Sequence, residues 1–285
     1  MATQVLDYRL DIDEKNFKAE SYFPGIAYDD YDREGGISPW KICRMFEAGR
    51  VVPFLQGNFL DYLNLCSKNF GIFVLGGDYY FDSCLWEVTR RYHYFPYKIS
   101  IELINVGQTS MTIREVLTNL LDNKEIATFY GTVVYVDKLA KRSQPLPYWH
   151  RTKYQGAASS EKVQLDSSVT KAPDKAFKVK TLIAASDTDL NGHTNQASYV
   201  RFCLDAAEAA RRANHLKLLT RDICRYPILK LSTSYRRETL AGEAITTSVW
   251  QDDTTPTVIH FALHCGDTLA FTACVTFKPK ACSRL

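Results

Sequence analysis

Ser186-Asp-Thr-Asp-Leu-Asn-Gly-His-Thr-Asn-Gln-Ala-Ser-Tyr199 crowds Asp187, Asp189, Asn191, His193 and Asn195 into the approach to an apolar, periodic segment. In that segment Tyr199, Phe202, Cys203, Ala206, Ala209, Ala210 and Ala213 recur at steps of three and four. The spacing predicts a helix near Gln196–Asn214 with one apolar face, and Arg201, Asp205, Glu208, Arg211 and Arg212 fall on its other side. Its alanines are small enough to let a helix lie close on a curved sheet. Strand-like runs follow near Ile228–Arg237, Glu243–Gln251, Thr257–His264 and Thr268–Phe277, joined by short Gly- or Asp-containing turns. One helix followed by an antiparallel meander is an α+β arrangement.

The same order occurs earlier in the chain. A helix is expected near Pro39–Leu55, then strands near Gly71–Tyr80, Tyr97–Asn105, Ser110–Leu117 and Ile126–Val136. Asp30, Asp32, Gly35 and Arg44 fall on Asp187, Asp189, Gly192 and Arg201 at a constant offset of 157. The closing runs Ile126–Lys138 and Leu269–Lys280 also resemble each other, so the chain reads as a duplication. Lys141–Lys175, rich in Ser, Pro and Gly, reads as a connector. The expected division is 1–145, a linker over 146–175, and 176–285.

A chain of 285 residues is comfortable for two such domains. With 46% hydrophobic and 24% charged residues it has the composition of a folded protein and not of a disordered one. A net charge of +3, without a basic stripe or a recognisable module, excludes a nucleic-acid surface from the reading. Cys43, Cys66, Cys84, Cys203, Cys224, Cys265, Cys274 and Cys282 form no C-x-x-C pair, so neither a zinc knuckle nor a redox pair is indicated. No run is apolar enough for a signal peptide or a membrane span, and no Asn-x-Ser/Thr acceptor occurs. The expectation is a cytoplasmic protein without metal or cofactor.

Asp and Asn before a helix ordinarily form turns and caps. Here, however, Asp189, Asn191, His193, Asn195 and Tyr199 follow the D-x-N-x-H-x-N-x-x-x-Y order, which resembles the signature of hotdog-fold thioesterases of the acyl-carrier-protein and 4-hydroxybenzoyl-CoA types. The resemblance implies a tandem double hotdog, two long central helices each wrapped by an antiparallel sheet, acting on acyl-CoA or acyl-carrier-protein substrates. It implies Asp189 as general base or nucleophile, His193 as carbonyl polariser or proton carrier, and Asn191 as the group that orients water or substrate. Backbone N–H groups from Gly192 through Thr194 and Asn195 to Gln196 are the expected oxyanion donors. Tyr199, Arg236 and Arg237, with Lys230 nearby, are candidates for substrate contact.

In the first half Glu34, Gly36 and Ser38 replace Asn191, His193 and Asn195, so that motif is degenerate. Asp32 and Glu47 are candidate remnants of a second site. The chain is then expected to act as a monomeric pseudo-dimer or as a larger homo-oligomer. Two other readings stay open: a hotdog hydratase or dehydratase on enoyl or hydroxyacyl thioesters, and a non-catalytic acyl-binding module.

Overall fold

The computed structural model describes residues 9–91, 94–157 and 171–279. In chain order the elements are β1 (Arg9–Asp13), β2 (Lys18–Phe23), α1 (Pro39–Gly57), α2 (Tyr62–Leu65), β3 (Phe70–Phe81), α3 (Ser83–Arg91), β4 (Tyr97–Val106), β5 (Ser110–Asn119), β6 (Lys124–Asp137) and β7 (Arg142–Ser143). They continue with α4 (Tyr148–Tyr154), β8 (Phe177–Leu182), α5 (Gln196–Arg212), β9 (Ile228–Tyr235), β10 (Ala244–Gln251), β11 (Val258–Cys265) and β12 (Thr268–Phe277). The long helices and the meander strands fall where hydropathy places them, and the fold is an α+β double hotdog.

Packing divides the chain into two compact units that do not follow its linear halves. Among the described residues the first gathers 9–28, 45–75, 91 and 94–157, and the second gathers 29–44, 76–90 and 171–279. The first loop and the start of α1 therefore pack with the C-terminal strands. The stretch read as a connector begins with structure, because α4 buries His150 and Tyr154 and His150 Nε2 lies 3.0 Å from the Leu60 carbonyl. The remainder of that connector, 158–170, lies outside the described residues.

In the first unit β1, β2, β4, β5 and β6 follow one another as antiparallel neighbours, with β7 on β6. Burial alternates residue by residue along β6, the period of a strand with one face on a core. That core gathers Phe54, Phe59, Ile101, Met111, Ile113 and Val133. Gly49 brings α1 onto β4, since a Cβ there would fall 2.4 Å from Ile99 Cγ2. Pro53, inside the helix, has no N–H for the Gly49 carbonyl. The buried Ser21 hydroxyl donates to that carbonyl instead, at 3.5 Å.

The second unit orders its antiparallel strands as the second part of β3, then β9, β12, β11, β10 and β8. Helix α5 packs on β10, β8 and β12 through Ala197, Ala206, Ala207 and Ala210. Glu208, expected on the solvent side of α5, is buried. Arg211 and Arg212 bind it at 2.7 and 2.9 Å, and it accepts Ile223 N–H at 3.2 Å. Burial opposes its charge, but these three partners hold its carboxyl down at about 2. At the edge, β8 turns Lys178 and Lys180 outward, which discourages pairing with another strand.

Glu115 and Arg50 form a fully buried ion pair in the first unit. Burial raises the Glu115 carboxyl from 4.5 to about 7, Arg50 only partly opposes this, and Oε2 has no partner among the described residues. The folded chain therefore holds this proton more tightly than the unfolded chain. The stabilisation is complete below about 4.5 and is lost as pH rises through about 7. Chemical denaturation across that window should show stability falling with pH more steeply in the native chain than in Glu115→Gln.

Candidate active site

Two loops of the same construction precede the two long helices. In the second, Thr188 bridges Thr194, Asp189 N–H donates to the His193 carbonyl at 2.9 Å, and Gly192 N–H donates to the Asp189 carbonyl at 3.0 Å. In the first, Tyr31 bridges Ile37, and the matching bonds run from Asp32 to Gly36 at 2.7 Å and from Gly35 to Asp32 at 3.1 Å. Asp189 Oδ1 accepts Asn191 N–H at 2.7 Å, as Asp32 Oδ1 accepts Glu34 N–H at 2.8 Å. Gly192 and Gly35 take φ values of 79° and 80°, where a side chain is strained. The 157-residue offset is thus repeated in the bridge and in these three hydrogen bonds.

The second loop directs its chemistry toward one point. His193 Nδ1 lies 3.9 Å from Asp189 Oδ1, and Nε2 lies 3.5 Å from Glu238 Oε2. Asn191 is exposed. Asn195 caps α5, its Oδ1 accepting Ala197 N–H at 2.9 Å.

Three of the expected oxyanion donors are already engaged. Gly192 N–H goes to Asp189, Thr194 N–H to the Thr239 carbonyl at 2.8 Å, and Asn195 N–H to the Asp187 carbonyl at 2.8 Å. The tight loop uses its own carbonyls to satisfy them, which leaves Gln196 N–H, at the first position of α5, without an acceptor among the described residues. Among those residues no group of three His, Cys, Asp or Glu side chains is placed to hold a metal ion.

Glu238 carries no signal in the sequence, because it reaches His193 from a loop after β9. What holds it there is a buried knot of hydroxyls. Thr239 Oγ1 lies 2.7 Å from Thr194 Oγ1 and 2.8 Å from the Tyr199 hydroxyl, which also accepts Thr239 N–H at 3.1 Å. The neighbours of these threonines in the chain are His193 and Glu238. Tyr199, expected against substrate, is 3% exposed and serves this knot. Arg236 and Arg237, read as strand residues, lie just past β9, where both N–H groups bind the Ala270 carbonyl. Arg237 pairs with Glu243 at 3.2 Å and Lys230 with Asp78 at 2.9 Å, while Arg236 is exposed.

Asp32 lines a cavity of about 440 Å3 in the second unit. Burial raises its carboxyl above the usual range, against two backbone N–H bonds from Glu34 and Gly36. Glu47 stands half-buried on α1 in the first unit and adds to the field that raises Glu115.

Residues 183–279 match the family model of the thioesterase-like superfamily. The second loop and α5 lie within that match. Among curated proteins, none matches the chain by sequence. Three solved structures share the fold. An acyl-ACP thioesterase from Bacteroides thetaiotaomicron is 14% identical with a TM-score of 0.70, the alignment covering 94% of this chain and 100% of that one. The 12:0-ACP thioesterase from Umbellularia californica is 12% identical with a TM-score of 0.67, covering 93% and 98%. Full-length peroxisomal multifunctional enzyme type 2 from Drosophila melanogaster is 11% identical with a TM-score of 0.54, covering 92% of this chain and 48% of that one.

The knot makes Thr239 a positioning residue. Thr239→Val removes one hydrogen bond from each of the Thr194 and Tyr199 hydroxyls, which should cost about 1–3 kcal/mol in denaturant unfolding. It should also lower kcat for whatever reaction His193 serves while leaving KM nearly unchanged, and Thr239→Ser should restore both. Equal kcat in the valine variant would show that the knot stabilises the fold without placing Glu238.

Proposed function

We propose that the chain hydrolyses acyl thioesters, releasing a carboxylic acid and a thiol, and that the second loop performs the reaction. The observation that carries this reading is His193 between Asp189 and Glu238 at the start of a long helix. The loop and helix fall in the segment that matches the thioesterase-like superfamily, and two proteins of the same fold are acyl-ACP thioesterases. These support a substrate carried on coenzyme A or on an acyl carrier protein, and with it a place in fatty-acid metabolism. Among the described residues no helix is long and apolar enough to cross a membrane. On sequence cues the reaction is assigned to the cytoplasm, with the duplication dividing at 145 and 176 and one chain supplying both partners of a hotdog pair.

In this mechanism the thioester carbonyl lies over the start of α5, where Gln196 N–H and the positive end of the helix stabilise the oxyanion. The Asp189 carboxylate takes a proton from water as its oxygen attacks the carbonyl carbon, and Asn191 orients that water. His193 carries a proton to the departing sulfur as the C–S bond breaks. Glu238 holds the imidazole in place.

Free-thiol release from a panel of acyl thioesters measures this directly. Asp189→Asn and His193→Ala should each lower turnover about a hundredfold or more, and Asp32→Ala much less. Melting curves separate lost chemistry from a lost turn, which costs about 1 kcal/mol. Full turnover in folded Asp189→Asn would remove the assignment. Loss of an enoyl double bond without thiol release would replace hydrolysis with hydration.

A further inference from the structure

The cavity beside the first loop is as large as an ordinary small-molecule site. Trp40, Trp86, Leu204 and Phe277 form its apolar wall, and Asp32 stands at its edge. The first loop presents Asp32 as the second presents Asp189, each ahead of a long helix. Of the three replacements between them, two shape this cavity. Gly36 occupies the position of His193, and a Cβ there would lie 3.3 Å from Asp32 Oδ2 and 3.8 Å from the Trp86 ring. Trp86 packs where an imidazole would stand. Ser38 occupies the position of Asn195 but leaves the helix start open. Among the described residues neither its hydroxyl nor Trp40 N–H has a protein partner. Trp86, 8% exposed, also has an unpartnered Nε1.

The charges around this cavity are already matched. Arg33 grips Asp222 at 2.6 and 2.7 Å, Arg201 pairs with Asp187, and Arg212 binds Glu208 at 2.9 Å. No arginine of the wall is left to hold a carboxylate or a phosphate, and Asp32 repels both. The unused groups are donors for a carbonyl oxygen, beside a broad aromatic surface.

We propose that the first loop, the start of α1 and the middle of α5 form a second, non-hydrolytic site for the neutral acyl-carbonyl part of a thioester. Trp40 N–H and the Ser38 hydroxyl take the carbonyl oxygen, and the acyl group lies on the indole-lined wall. The inference rests on the hydrolytic reading of the second loop for its ligand class. Without an imidazole at position 36, the ligand is held and not turned over. Binding is then two-site while turnover is one-site.

Calorimetric titration of the full chain with the ketone analogue of decanoyl-pantetheine, in which a methylene replaces the thioester sulfur, tests this. Two equivalents should bind, the second changing tryptophan fluorescence. Ala209→Phe, which places a ring in the cavity, should remove the second equivalent and leave hydrolysis of decanoyl-pantetheine intact. Should that variant not fold, Trp40→Phe should diminish the fluorescence change of the second equivalent. A single equivalent in the native chain, two equivalents in folded Ala209→Phe, or an undiminished signal in Trp40→Phe overturns the second site. Decanoate binding there as tightly as the ketone overturns its preference for a neutral ligand. Turnover with one equivalent bound leaves the hydrolytic reading standing alone, whereas two equivalents without turnover sink that reading and keep the second site.

Discussion

An aspartate that folds a seven-residue loop back on itself is the constraint on which the candidate chemistry depends. Asp189 closes the loop with its backbone N–H, its carbonyl and its side chain at once, and Gly192 supplies the left-handed residue that the closure requires. The loop delivers the chain into α5 at a fixed angle with Asn195 as its cap. One side chain thus sets the helix start, the place of His193 and its own place beside it. The same geometry at Asp32, with different side chains around it, shows that the loop is a structural device in its own right.

What distinguishes the two copies is the company each loop keeps. Around the second, hydroxyls of Thr194, Tyr199 and Thr239 satisfy one another in the core and draw a distant carboxylate to the imidazole. Buried polar groups that are fully partnered rigidify their surroundings. Around the first, arginine–carboxylate pairs and two indoles surround a cavity, and Gly36 leaves Asp32 without an imidazole beside it. One backbone pattern is thus set in two unlike surroundings.

Much of this was legible in the residues. The three-and-four spacing after Gln196 marked α5, the strand-like run Ile126–Val136 marked β6, and the 157-residue offset marked two loops of the same construction. Glu238 and Thr239 could not be found that way, since their meaning comes from a contact across more than forty residues of chain. The engaged N–H groups of Gly192, Thr194 and Asn195 escaped notice for a related reason, because a helix start looks open until the carbonyls of its own loop are placed. Nor does any local pattern reveal that 29–44 and 76–90 pack with the C-terminal strands, or that Arg236 and Arg237 fall beyond the end of β9.

The most direct test of the claim that the second loop is the hydrolytic one is a crystal structure of the chain with the ketone analogue bound. The account expects a carbonyl oxygen within hydrogen-bonding distance of Gln196 N–H, with the Asp189 carboxylate facing the carbonyl carbon and His193 on the side of the replaced sulfur. A ligand seated only beside Asp32, with nothing against Asp189 and His193, would contradict it.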